Sequence, residues 1–252
     1  MLAPADMNPL ALEIAGPEQG VDFTMLVEIN SEVQRQGNHL RVGDLVVQWN
    51  PYHQWNPSPN WSSVRKEQQE ALKTLDNITS QLISARSPDS LAIFLSSSGL
   101  ASDTRISGWQ KRARVSITTL LNGLKNLDLE MMNSGVRELA GLGLGLTPSG
   151  DDFIVGVMHA IWLGTDTTQA RPLCEGLLAS ASIRTNALSA SYMARVAMGE
   201  ASLAWHTLVN AIAEADPTAI RSPVEDLIGL GHTSGQDALA GFLLGIIALQ
   251  QT

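Results

Sequence analysis

A chain of 252 residues, 44% hydrophobic and 16% charged, is long enough to bury a core and too apolar to be intrinsically disordered. With 16 Lys and Arg against 25 Asp and Glu the net charge is −9, which leaves no basic face for a nucleic-acid backbone. The one cysteine, Cys174, excludes an internal disulfide and a thiolate metal cage.

The start, Met1 to Asp6, shows no basic segment followed by an apolar run. The longest apolar stretches, 153–163 and 238–249, fall short of the roughly 20 residues that a bilayer-crossing helix needs. The expectation is a cytoplasmic protein without a membrane segment, in which the sequons at Asn60 and Asn77 carry no glycan. Residues 23–29 and 40–49 are short, β-branched and apolar runs punctuated by Gly and Asn, and read as strands of a small antiparallel sheet. Asn56-Pro57-Ser58-Pro59-Asn60 is a stop. From Trp61 onward, Val64, Leu72, Leu75, Ile78, Leu82 and Ile83 recur at helical spacing. Helical patterns follow at 89–99, 110–125, 129–140, 152–163, 171–181, 186–214, 222–228 and 236–249. The expected class is α+β, mostly α. A small β-rich N-terminal domain spans 1–60, and an α-helical domain containing two similar glycine-loop and helix units spans 61–252.

Those two units are an internal echo. Gly143-Leu144-Gly145-Leu146-Thr147-Pro148-Ser149-Gly150-Asp151-Asp152, with Gly156 after it, resembles Gly229-Leu230-Gly231-His232-Thr233-Ser234-Gly235-Gln236-Asp237, with Gly241 after it. Pro148 is the extra residue of the first copy. The natural geometric reading is a pseudo-twofold pair of loop–helix units that meet at one site.

Capping accounts for part of each motif: Ser149 and Ser234 suit an N-cap, and Asp152 and Asp237, three residues on, suit a capping box. It does not account for Gly141, Gly143 and Gly145, nor for their partial recurrence at Gly229 and Gly231. Glycines free backbone amides to approach a ligand, and a helix N-terminus favours an anion there. Neither copy has the Lys of a P-loop or the strand context of a dinucleotide fingerprint. The inferred ligand is a small anionic metabolite: a carboxylate, a phosphate or a carbamoyl compound.

Gly143, Gly145, Thr147, Ser149 and Gly150 supply backbone and hydroxyl donors in this reading, mirrored by Thr233, Ser234 and Gly235. Asp151, Asp152 and Asp237 repel an anion unless a cation or a proton intervenes. A Mg²⁺ ion between Asp and ligand is one resolution; carboxylates that receive substrate amide N–H groups are another. His232 beside the second glycine turn suits proton transfer, and Arg184, with Thr185 next to it, supplies positive charge. His159, on an apolar helix, reads as a core residue, and Arg105, Lys111, Arg112 and Arg114 as a solvated helix face, with a docking patch for an acidic partner or substrate as the alternative.

The string Gly-Leu-Gly-Leu-Gly-Leu-Thr-Pro-Ser-Gly-Asp-Asp at 141–152, the Thr185 to Ser189 segment and Gly231-His232-Thr233-Ser234-Gly235-Gln236-Asp237 together resemble a bacterial family that includes the AllH-type subunit of oxamate carbamoyltransferase, an enzyme of anaerobic allantoin degradation. The resemblance covers roughly residues 20–250. It implies a multi-subunit enzyme that converts oxalurate and phosphate into oxamate and carbamoyl phosphate, with other enzyme subunits as partners. The alternative is a non-catalytic metabolite-binding or scaffolding subunit, and the blandest reading makes the loops caps and tight turns only.

Overall fold

The computed structural model describes residues 9–10, 22–48, 55–65, 68–95, 106–216 and 218–251. Its class is α+β, mostly α, with a three-stranded antiparallel sheet ahead of the helices. The strands are β1 (Val33–Gln36), β2 (His39–Val42) and β3 (Leu45–Gln48), paired in the order β1-β2-β3, with Val33 opposite Val42 and Val42 opposite Leu45. Two expectations change here. Within 23–29, Phe23–Met25 is a 3-10 turn, closed by Asp22, whose Oδ1 accepts from the Thr24 amide and hydroxyl. The run 40–49 is not one strand, because Gly43 at φ +58° folds it into the β2–β3 hairpin. Strand β1, Val-Gln-Arg-Gln, is exposed throughout, so it offers no alternation for a hydrophobicity reading to find.

The helices are α1 (Trp61–Arg65), α2 (Gln68–Ala85), α3 (Gly108–Lys125), α4 (Leu129–Leu139), α5 (Ser149–Gly164), α6 (Thr167–Ala181), α7 (Ala187–Ala197), α8 (Leu203–Ala213), α9 (Arg221–Ile228) and α10 (Ser234–Leu249). Local chemistry starts several of them. Ser107 and Gln110 form a full capping box on α3, Asp128 caps α4 at the Met131 amide, and Asn186 caps α7 at the Ser189 amide. The helix expected over 89–99 is a buried 3-10 segment at Leu91–Leu95; positions 96–99 and Arg105 lie outside the described residues. The single helix expected over 186–214 is two. Gly199 at φ +85° breaks it, and the break is fixed by Arg195 pairing with Glu200 through Nε (2.6 Å) and the second guanidinium nitrogen.

Helices α5 and α10 form the centre of the core. Almost every residue of both is buried, including Phe153, Val157, Trp162, Leu239 and Phe242, so neither shows an amphipathic stripe. Segment 55–60 lies across the helices, with the Ala201 amide donating to the Pro57 carbonyl at 2.8 Å and Trp61 Nε1 to the Gly199 carbonyl at 2.8 Å. Among the described residues no helix is long and apolar enough to cross a membrane.

Candidate functional site

Glycine lets α5 and α10 touch backbone to backbone. A Cβ added at Gly156 would sit 1.8 Å from the Ala238 carbonyl oxygen, and one at Gly241 would sit 2.1 Å from that of Phe153. Positions 156 and 241 are equivalent in the two sequence motifs, as are 153 and 238, so the contact is reciprocal in the manner of a twofold interface. Further along, Gly245 faces Ala160 and Gly164 faces Leu249. The helices therefore run parallel, with both N-termini at the same end.

The repeat also extends upstream of the motif. A Cβ at Gly150 would meet the Leu139 carbonyl of α4 at 2.0 Å, and one at Gly235 would meet the Leu227 carbonyl of α9 at 1.6 Å. The amide of Gly150 donates to Leu142 (2.8 Å) and that of Gly235 to Leu230 (3.1 Å). Each unit is thus a helix, a glycine loop and a second helix: α4 with α5, and α9 with α10. In the first loop, Gly141, Gly143 and Gly145 all have positive φ (73°, 117° and 101°), conformations that an L side chain resists.

The loops meet where the helices begin: Thr147 Oγ1 lies 3.0 Å from Ser234 Oγ. The hydroxyls of Thr147 and Ser234 lie against Asp152, and those of Thr233 and Ser149 against Asp237. Each aspartate thus faces the threonine of its own loop and the serine of the other. Asp237, fully buried, also accepts from Ser90 Oγ (2.7 Å) and the Leu91 amide (2.6 Å) through Oδ1. One oxygen of each, Oδ2, is buried with no hydrogen-bond partner among the described residues. An unsatisfied buried carboxylate oxygen is costly, and here one recurs at equivalent positions of the two units.

This arrangement replaces the expected capping boxes. Ser149 and Ser234 are the first residues of their helices; Pro148 and Thr233 precede them, and neither makes a side-chain cap bond. Asp152 and Asp237 do not reach back as cap partners, because the hydroxyls are engaged across the repeat. Burial drives both acids up, Asp152 to about 8 and Asp237 to about 6. For Asp152 the Ser234 and Thr147 hydroxyls oppose this, while the nearby Asp237 and Asp151 add to it. For Asp237 the donors Ser90, Leu91, Ser149 and Thr233 hold the rise in check.

Asp151 has a different task. Buried to 1% exposure, it accepts from the Gly141 amide (2.8 Å) through Oδ1 and from the Thr185 hydroxyl through Oδ2. It clamps the first glycine loop to the α6–α7 turn. Asn186 Nδ2 adds a bond to the Leu146 carbonyl at 2.8 Å. The amides of Gly143, Gly145, Leu146 and Thr147 donate to no acceptor among the described residues. Arg184 stands on the rim, exposed, with its guanidinium 3.3 Å from Glu138. His232 is exposed on the second loop.

Sequence reading missed the third side of the site. Ser90 and Leu91 reach Asp237 from 147 and 146 positions away, and no local pattern announces them. Tyr192, on α7, feels the Asp152 charge, and its hydroxyl is pushed up to about 12 chiefly by burial. Among the described residues no group of three or more His, Cys, Asp or Glu is placed to hold a metal ion.

Residues 139–246, from the end of α4 to α10, match the family described as oxamate carbamoyltransferase subunit AllH. No solved structure matches the chain. The matched stretch holds both glycine loops, Asp152, Asp237 and Tyr192 but not Ser90, and over it the chain is similar to the AllH family.

Proposed function

We propose that the chain serves as a subunit of a carbamoyltransferase of the oxamate carbamoyltransferase type, and that the junction of α5 and α10 binds its small anionic carbamoyl metabolite. The observation that carries this reading is the pair of aspartates with buried, unpartnered Oδ2 atoms, set at the positive ends of two parallel helices. The carboxyl pair suits the N–H groups of a carbamoyl compound. The unengaged loop amides of Gly143, Gly145 and Thr147 suit its oxygens and those of phosphate, and the hydroxyls of Ser149, Thr233 and Ser234 hold the two carboxyl groups in place. Gly150 and Gly235 contribute by close packing, their amides being occupied. Arg184 and His232 flank the entrance and add positive charge to the approach.

The test is reconstitution with the other subunits and an assay of carbamoyl phosphate formation from oxalurate and phosphate. Ser149→Ala with Ser234→Ala should lower kcat/KM by about 10²-fold, the scale of misplacing the acid and base that these hydroxyls hold. Unchanged turnover by a folded double variant contradicts the reading.

One observation favours a second reading, in which the chain binds metabolite and partner without catalysing. Leu144 and Leu146 are each 82% exposed on the first loop, and Ile183 is 73% exposed on the turn that packs against it. An apolar rim suits contact with another subunit. Under this reading the double variant weakens ligand binding while the rate of the assembled enzyme at saturating substrate is unchanged.

A further inference from the structure

We infer that Asp152 and Asp237 act as one acid–base pair holding a single proton, with Asp152 as the acid and Asp237 as the base. This deepens the proposed function and rests on it. The repeat makes the two positions equivalent, but their surroundings break the symmetry. Asp237 Oδ1 receives the Ser90 hydroxyl and the Leu91 amide, two donors that favour a carboxylate. Asp152 has no such backbone donor among the described residues and receives only the Ser234 and Thr147 hydroxyls, while both acids keep an unpartnered Oδ2. Two carboxyl groups that repel each other across a buried site resist ionising together.

The other ionisable groups that face the pair do not alter this. Asp151 on α5 is occupied by Gly141 and Thr185 and raises Asp152 further by repulsion; Tyr192 on α7 is a neutral phenol. The directions of titration agree, with Asp152 pushed higher than Asp237.

The pair then balances phosphorolysis of a ureido substrate. A phosphate oxygen attacks the carbamoyl carbon, and its proton passes to the Asp237 carboxylate. The C–N bond breaks, and the departing nitrogen takes the proton of Asp152. One C–O bond replaces one C–N bond, no electrons enter or leave, and the pair still holds one proton, now on Asp237. Release of the products readmits solvent, through which the proton exchanges back to Asp152 before the next turnover.

The experiment has two parts. Carboxyl titration by ¹³C NMR on the chain labelled at aspartate Cγ should show one aspartic acid still protonated at pH 7. That signal should vanish in Asp152→Asn and titrate at lower pH in Asp237→Asn. In the assembled enzyme each Asn variant should lower kcat by about 10²–10⁴-fold and remove one limb of the pH profile. If every aspartate is ionised at pH 7, or if Asp152→Asn keeps kcat and pH profile, the acid–base pair is overturned. Loss of the functional reading looks different: the Ser149→Ala, Ser234→Ala enzyme stays active whatever the NMR shows. Should Asp237→Asn fail to fold, the wild-type titration and Asp152→Asn decide alone.

Discussion

Replacing Asp152 by Asn keeps its shape and removes its charge, and should stabilise the protein at neutral pH. The folded-state pKa of about 8 lies well above the ordinary 3.8 that applies once the chain unfolds. Between those values the native state holds a proton that the unfolded state has released, so the wild type loses stability as pH rises through this window. At about 1.4 kcal/mol per pH unit, the three units from pH 4 to pH 7 amount to about 4 kcal/mol. Asn cannot titrate, so this dependence disappears. The assay is urea unfolding of both proteins at pH 5, 6, 7 and 8, read as the difference between them at each pH. The difference should grow in favour of the variant up to pH 8 and then level off. Parallel curves would mean that Asp152 is an ordinary solvated carboxylate, and the reasoning about a strained buried pair would be refuted.

Other substitutions test other parts of the structure. Gly156→Ala and Gly241→Ala should each cost about 3 kcal/mol or more, since the new methyl collides with backbone while helix propensity returns only about 1. The two losses should be similar because the contacts are reciprocal, and a rise in Tm for either would contradict the packing. His159 is fully buried against Trp61 and Trp205, has no hydrogen-bond partner for either ring nitrogen among the described residues, and is pushed down to about 3 by burial. Its native state refuses a proton that the unfolded chain accepts below about 6.5, so it costs stability as pH falls from there. His159→Phe should therefore gain about 2 kcal/mol over wild type at pH 5 relative to pH 7.5, measured by thermal unfolding. Thr185→Val leaves Oδ2 of buried Asp151 without its donor, and should cost about 1–3 kcal/mol and loosen the first glycine loop to hydrogen exchange.

The helices and the duplication were legible because both are written locally. Periodicity located α3 to α6, α9 and α10 within a few residues, and the recurring Ser-Gly-x-Asp pointed to paired units. The partner of each feature was not legible. That Gly156 answers Ala238 and Gly241 answers Phe153 follows from packing across about 80 positions, which no window reveals. The capping-box expectation failed for the same reason: Ser and Asp three apart obey a local rule, but at this site a cross-unit contact won. The broken helix at Gly199 shows the converse. An apolar pattern continued through 186–214, while one positive-φ residue, secured by the Arg195–Glu200 pair, turned the chain. Strand β1 escaped detection because it buries nothing for a period-two pattern to record.

The metabolite is expected at the α5–α10 junction. A crystal structure of the assembled enzyme with oxalurate bound addresses this most directly. Ligand density should lie between Asp152 and Asp237, with an N–H group against an Oδ2 atom and oxygens on the amides of the first glycine loop. Density at any other place in the subunit, with both Oδ2 atoms still unpartnered, would contradict it.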